Sequence, residues 1–167
     1  MDLTSPKIII AIDPGASGGF AWRDSDGSLQ CRKIPSTEGD ILNFFQGFKR
    51  SDQTVTVWLE EVGGFIGRAQ SGDMMFKFGH GCGFLRGVIM ACGFRLELVR
   101  PKKWQAPLGL GGKKSCVSDN AWKNKLKAKA QQLFPGLPVT LLTADALLIL
   151  DYALRNGDTP PLPDPAR

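Results

Sequence analysis

The sequence predicts an α/β fold, a five-stranded mixed sheet with helices on both faces. Three observations predict it. The run Ile8-Ile9-Ile10-Ala11-Ile12 is apolar without a break up to Asp13, as a strand buried on both faces is. Two short strand patterns follow at once, joined by the turn signal Asp24-Ser25-Asp26-Gly27, so the chain opens as an antiparallel meander. From residue 35 onward helical and strand patterns alternate, which builds a sheet with helices packed on it.

The elements follow in order. Pro14 cannot continue a central strand, so the first strand ends at Asp13. Gly18 to Trp22 is the second strand and Ser28 to Ile34 the third. Pro35-Ser36-Thr37-Glu38 opens a helix whose apolar face is Ile41, Leu42, Phe44, Phe45 and Phe48. Thr54 to Glu60, rich in β-branched residues, is the fourth strand. Phe84 to Cys92 reads as a helix; Gly79-His80-Gly81-Cys82-Gly83 before it weakens helical structure and marks close packing or a bend. His80 reads as an ordinary loop or packing residue. Gly93 ends the helix, and Phe94 to Val99 is the fifth strand. Ser118 or Asp119 caps a helix running to Leu133, with Ala121, Trp122, Leu126, Ala130 and Leu133 on one face and lysines on the other. Thr143 caps a last, heavily apolar helix from Ala144 to about Leu154. The 167 residues suit one domain, 1–157, followed by a proline-rich tail, 158–167.

Composition narrows the class. No apolar run reaches the ~18–20 residues that cross a membrane, and Met1 to Lys7 lack a signal-peptide pattern. Cys31, Cys82, Cys92 and Cys116 form no Cys-x-x-Cys pair and read as reduced thiols of a cytoplasmic protein. The net charge of +5 is uneven. Between Arg100 and Lys129 stand Arg100, Lys102, Lys103, Lys113, Lys114, Lys123, Lys125, Lys127 and Lys129 against Asp119 alone. Such a block reads either as a solvated helix face or as the footprint of a polyanion binder.

The carboxylates give the block a meaning. If the first and fourth strands lie side by side and parallel, Asp13 and Glu60 meet at their carboxyl ends, where α/β sheets place ligands. Asp145, in the first turn of an apolar helix, is the third candidate. Two of them have a plain alternative: Asp13 closing a turn, Asp145 a favourable charge at a helix N-terminus. Gly15, Gly18 and Gly19 leave room either for a tight turn or for an approaching phosphate. Three converging carboxylates repel unless a cation neutralises them, and hard oxygen ligands suit Mg2+ or Mn2+. Two ions per site are expected, facing the basic surface, for phosphodiester chemistry.

Ile12-Asp13-Pro14-Gly15, Leu59-Glu60-Glu61-Val62 and Ala144-Asp145-Ala146-Leu147, in this order, resemble the RuvC-like Holliday junction resolvases over roughly residues 7 to 155. Val99-Arg100-Pro101-x-x-Trp104 and Leu133-Phe134-Pro135-Gly136 are similar to the phage and plant-chloroplast branch. The resemblance implies an RNase H-like fold, a homodimer and divalent-metal cleavage of four-way DNA junctions, in a bacterial or phage-infected cell and at its nucleoid. Asp13, Glu60 and Asp145 are then the catalytic and metal-holding residues. The bacterial members carry a fourth acid three positions before the helix aspartate; here that position is Leu142. Water, Glu61, Asp73 or a DNA phosphate would complete the set.

Around that centre, Lys102, Lys103, Lys113, Lys114, Lys123, Lys125 and Lys127, with Lys129, are expected to contact phosphates without reading bases. Phe65 is placed to stack on a base at an opened junction, or to pack in the core. The segment from Met74 to Met90 is the expected dimer interface, its surplus apolar residues otherwise packing under the sheet. Two rivals remain: a junction-binding protein with weak or lost catalysis, and an ATP-binding domain of the actin and sugar-kinase type, against which the short chain argues.

Overall fold

A computed structural model describes residues 7–49, 53–63 and 71–157. Strands β1 (Lys7–Asp13), β2 (Gly19–Arg23) and β3 (Leu29–Lys33) form the meander, and β4 (Thr54–Glu60) and β5 (Arg95–Val99) complete a five-stranded sheet. The strand order is β3-β2-β1-β4-β5. β1 pairs antiparallel with β2 and parallel with β4, and β4 pairs parallel with β5. The mixed sheet expected from the sequence is the observed one.

Alternation along the strands sorts the core into two layers. Ile8, Ile10 and Ile12 of β1 and Val55, Val57 and Leu59 of β4 join Phe20, Phe45, Leu85, Val88 and Ile89 on one face. That face is covered by α1 (Glu38–Gln46) and α2 (Gly72–Ala91). Ile9 and Ala11 turn to the other face, toward Trp104, Trp122, Leu126 and the run Ala146 to Leu150. α3 (Pro101–Gln105), α4 (Asp119–Leu133) and α5 (Ala144–Asn156) supply these residues. Ile10, Ile12 and Leu147 to Leu150 are fully buried, and burying such a side chain contributes roughly 1.5–3 kcal/mol.

Three details differ from the sequence expectation. α2 is continuous from Gly72 to Ala91, with Ser71 accepting a cap bond from the Met74 amide. The glycines do not break it, because the cap fixes one end and buried Leu85, Val88 and Ile89 anchor the other. Nor do they mark close packing within the chain: a Cβ built on Gly79, Gly81, Gly83 or Gly87 meets nothing within 4 Å. The short helix α3 was not expected; Pro101 at its first turn presets the backbone for it. Thr143 does not cap α5 with its side chain. Its hydroxyl instead accepts from the Thr140 amide at 3.0 Å, closing the turn that precedes the helix. Phe65 and the 158–167 tail lie outside the described residues.

Candidate active site

Strand alternation decides where the acids point. Ile12 stands opposite Leu59 in the parallel β1–β4 ladder, so Asp13 and Glu60 are the next pair along. Both follow the alternate set, Ile9, Ala11, Asp13 and Thr56, Trp58, Glu60, that faces α5. α5 packs across β1, β2 and β4 and carries Asp145 in its first turn. Asp13 is 8% exposed and Asp145 7%.

The glycines after β1 make this edge possible. A Cβ on Gly18 would fall 2.0 Å from the Asp13 carbonyl oxygen, and one on Gly19 would fall 2.3 Å from that of Leu142. Their smallness lets the chain close on itself and brings the entry to α5 against β2. It serves the turn rather than a phosphate. Gly15 has φ +112°, a left-handed conformation that glycine adopts without strain.

Each acid meets different neighbours. Glu60 Oε1 accepts from Trp104 Nε1 at 2.9 Å, and Trp104 is 1% exposed. Asp145 Oδ2 accepts from Lys123 Nζ at 2.7 Å, while Asp145 Oδ1 is buried with no hydrogen-bond partner among the described residues. Burial, then the charges of Asp145 and Glu60, push the Asp13 carboxyl up to about 8. Burial also raises Glu60, against the lowering effect of the Trp104 hydrogen bond. Burial pulls the Lys123 ammonium down, but Asp145, by charge and hydrogen bond, and then Asp13 and Glu60 hold it above its usual value. The site is short of positive charge.

A hard divalent cation fits this shortage. The donors are carboxylate oxygens, and Asp145 Oδ1 is a buried acceptor that none of the described residues satisfies. The acids are gathered but not closed around a point. Among the described residues, no group of three or more His, Cys, Asp or Glu side chains is arranged to hold a metal. Lys123 Nζ is held on Asp145 Oδ2.

The chain matches no family model, and no curated protein matches it. Among solved structures it is similar to Thermus thermophilus RuvC, with 19% identity and a TM-score of 0.56, over 93% of this chain and 99% of that one. It is also similar to T. thermophilus RuvC in complex with a Holliday junction substrate, with 16% identity, a TM-score of 0.56 and the same coverage. The chain has the RuvC fold.

On this RuvC-type, RNase H-like sheet, the predicted residues divide. Asp13, Glu60 and Asp145 share one face. Lys102 and Lys103 are exposed on α3, beside Trp104. Lys113 pairs with Asp119 at 3.3 Å, and Lys114 is exposed in the same turn. Lys125 reaches the Leu110 carbonyl at 3.5 Å, and Lys129 reaches Gln132 at 3.2 Å. Lys127 is half-buried. Lys123, its side chain half-exposed, pairs with Asp145 Oδ2 at 2.7 Å, an ion pair that the sequence did not point to. Glu61 pairs with Arg100 at 2.8 Å and Asp73 with Lys77 at 2.9 Å, so the two candidate extra ligands are engaged elsewhere. His80 is exposed on α2, stacked on Phe76 and 3.7 Å from Glu38.

Sequence reasoning missed Trp104 as Glu60's partner. The signal was present: Glu60 stands opposite Val99 in the β4–β5 ladder, so residues just after Val99 fall beside it. It also missed α2 as a wall of the site. A Cβ on Gly15 would meet the Phe78 ring at 3.4 Å. The Cys82 thiol is raised by burial and, against Arg86, by the charges of Glu60 and Asp13.

Proposed function

We propose that this chain is a metal-dependent endonuclease of the RuvC type that resolves four-way DNA junctions by paired phosphodiester cleavage. The observation that carries the reading is the meeting of Asp13, Glu60 and Asp145 on one face of the sheet's carboxyl edge, bordered by lysines. The RuvC neighbour in complex with a Holliday junction substrate supports the choice of branched DNA. Bound Mg2+ or Mn2+ would supply Lewis-acid activation of water and neutralise charge on the phosphate.

The chain's residues divide the work. Asp13, Glu60 and Asp145 would hold the cation through hard oxygens. Trp104 keeps one Glu60 oxygen in place. Lys102, Lys103 and Lys114 grip the sugar-phosphate backbone without reading bases. Two symmetric cuts need two sites, and a two-fold dimer supplies them. The α2 face carrying Gly79, Gly83 and Gly87, spaced four residues apart between exposed Phe76 and Met90, is the proposed seam. The reading extends to the phage and plant-chloroplast branch, which the Val99-Arg100-Pro101-x-x-Trp104 pattern supports, and to the nucleoid of a bacterial or phage-infected cell, which a DNA-junction substrate supports.

The test is Asp13→Asn. Junction cleavage in Mg2+ is expected to vanish while junction binding persists, read by gel shift on a synthetic four-way junction. Wild-type-like cleavage by this variant would remove Asp13 from the mechanism. The Lys123–Asp145 ion pair favours a second reading, a junction binder that does not cut. Binding by the unaltered chain with no cleavage in either Mg2+ or Mn2+ would establish that reading.

A further inference from the structure

The sheet's carboxyl edge carries cations on the β3 side of the carboxylates as well as on the α3 side. Gly19 stands opposite Asp13 in the β1–β2 ladder and opposite Lys33 in the β2–β3 ladder. Lys33 therefore lies in the same row as Asp13, two strands away, or roughly 10 Å at the usual strand spacing. β5, which leads into α3, is two strands from β1 on the opposite side. An open cleft of about 540 Å3 lies between β3 and α1, lined by Arg32, Lys33, Pro35, Asp40, Asn43 and Phe44, and a phosphate with its sugar fits such a space. Arg32 holds its guanidinium over the Phe44 ring, 4.9 Å from the centroid. Phe44 is itself fixed, stacked on Phe20 at 4.5 Å and edge-on to Trp22 at 5.2 Å. Stacking uses the face of a guanidinium and leaves its in-plane N–H fork for a phosphate. Among the described residues neither Arg32 nor Lys33 forms an ion pair. Asp40, the one acid lining the cleft, accepts from the Thr37 hydroxyl at 2.7 Å, and the Asp40 amide donates to that hydroxyl at 3.1 Å. Its carboxylate is thus committed to the cap of α1, and two cations face the opening.

We infer that the cleft between β3 and α1 is a phosphate-binding site, in which Arg32 and Lys33 hold the backbone of the DNA strand that crosses the carboxylates. The inference rests on the nuclease reading above, since it takes the anion to be junction DNA. One strand of a duplex carries a phosphate about every 3.4 Å of axis, so a strand laid along the edge reaches the cleft within about three phosphates of the one over Asp13. Arg32 grips by its fork, Lys33 as a point charge, and the Asn43 amide adds a neutral donor at the cleft wall. Held here on one side and by α3 on the other, the strand cannot swing about the site. Both residues lie outside the basic block from Arg100 to Lys129, so the charge pattern of the sequence did not single them out.

The experiment pairs protein and DNA changes. The full chain and its Arg32→Gln, Lys33→Gln double variant are titrated, with Ca2+ in place of Mg2+, onto synthetic four-way junctions that carry one uncharged methylphosphonate at successive phosphates around the branch point. On the unmodified junction the double variant is expected to bind about tenfold more weakly than wild type, as loss of a hydrogen bond to a charged group predicts. One or two methylphosphonate positions should cost the wild type a similar factor and cost the double variant nothing further. Should loss of the Arg32 stack unfold the chain, Lys33→Gln alone carries the same expectation at a smaller factor, with one silenced position. Equal affinity of wild type and variants would overturn the inference, as would a scan in which every methylphosphonate costs both proteins the same. A wild type that binds and cuts junctions while the variants match it sinks this inference alone. A wild type that binds no junction sinks it together with the nuclease reading.

Discussion

At the level of single residues, the site is governed by a shortage of positive charge, and Asp13 feels it most. Its carboxyl is raised to about 8 by burial and by Asp145 and Glu60, whereas an unfolded aspartate titrates near ~3.9. The folded chain therefore keeps a proton that the unfolded chain gives up. The stability linked to that proton is fully present below the unfolded value and is lost as pH rises through about 8. In EDTA, the urea midpoint should fall between pH 5 and 8, and Asp13→Asn should flatten the fall. Equal slopes for both proteins would mean that Asp13 is not the group responsible. Trp104 allows a cleaner separation of packing from positioning. Trp104→Phe keeps most of the buried area but deletes the bond to Glu60 Oε1, and a hydrogen bond to a charged group is worth about 1.5–3 kcal/mol. The Mn2+ needed for half-maximal cleavage should rise by about tenfold, with a calorimetric metal affinity that weakens in parallel. Lost stability with unaltered metal affinity would reduce Trp104 to a packing residue. The three acids were legible because two close apolar strands and one opens an apolar helix, contexts where a charge stands out. The turn of Lys123 toward Asp145 was not, because a lysine on a lysine-rich helix carries no periodic mark.

Secondary elements were readable in proportion to their own periodicity. β4 and α4 match the sequence reading to within a residue, since Thr54 to Val57 is β-branched throughout and α4 has a single apolar stripe. α3 is five residues long, too short to show a period. α2 was half-read: its second half is anchored by Leu85, Val88 and Ile89, while its first half exposes Met74 and Phe76, leaving glycines as the dominant local signal. That half-helix makes a testable promise. Glycine inside a helix costs up to about 1 kcal/mol relative to alanine, and Gly79 and Gly83 have open space where a methyl would go. Gly79→Ala and Gly83→Ala should each stabilise the monomer by about 0.4–1 kcal/mol in urea melts at low concentration. If two copies of α2 meet along these glycines, the same methyls should weaken the dimer in sedimentation equilibrium. A tighter monomer with unaltered association would move the interface off α2.

Across the whole molecule, charge is organised about the sheet's carboxyl edge. The segment from Arg100 to Lys129 carries a net +8 and the rest of the chain −3. α3 ties this block to the site, because Trp104 reaches Glu60 from the same short helix that exposes Lys102 and Lys103. These two lysines are the exposed charges on the helix that supplies Glu60's partner. Lys113, Lys125 and Lys129 are partly satisfied by Asp119, Leu110 and Gln132, so they have less to gain from a phosphate. Junction affinity should fall steeply with salt, its logarithmic slope following the phosphates neutralised at about 0.9 per contact. Lys102→Ala with Lys103→Ala should shallow that slope by about 2. Their deficit should be largest at about 50 mM salt and shrink toward 200 mM, measured by fluorescence anisotropy on a four-way junction with Ca2+ in place of Mg2+. The direction of the change separates two geometries. A shallower slope puts DNA across the α3 rim, directly over Asp13, Glu60 and Asp145. An unaltered slope would put the duplex arms on the far side of α4, away from the carboxylates, and no arrangement of the site could then bring a phosphate to them.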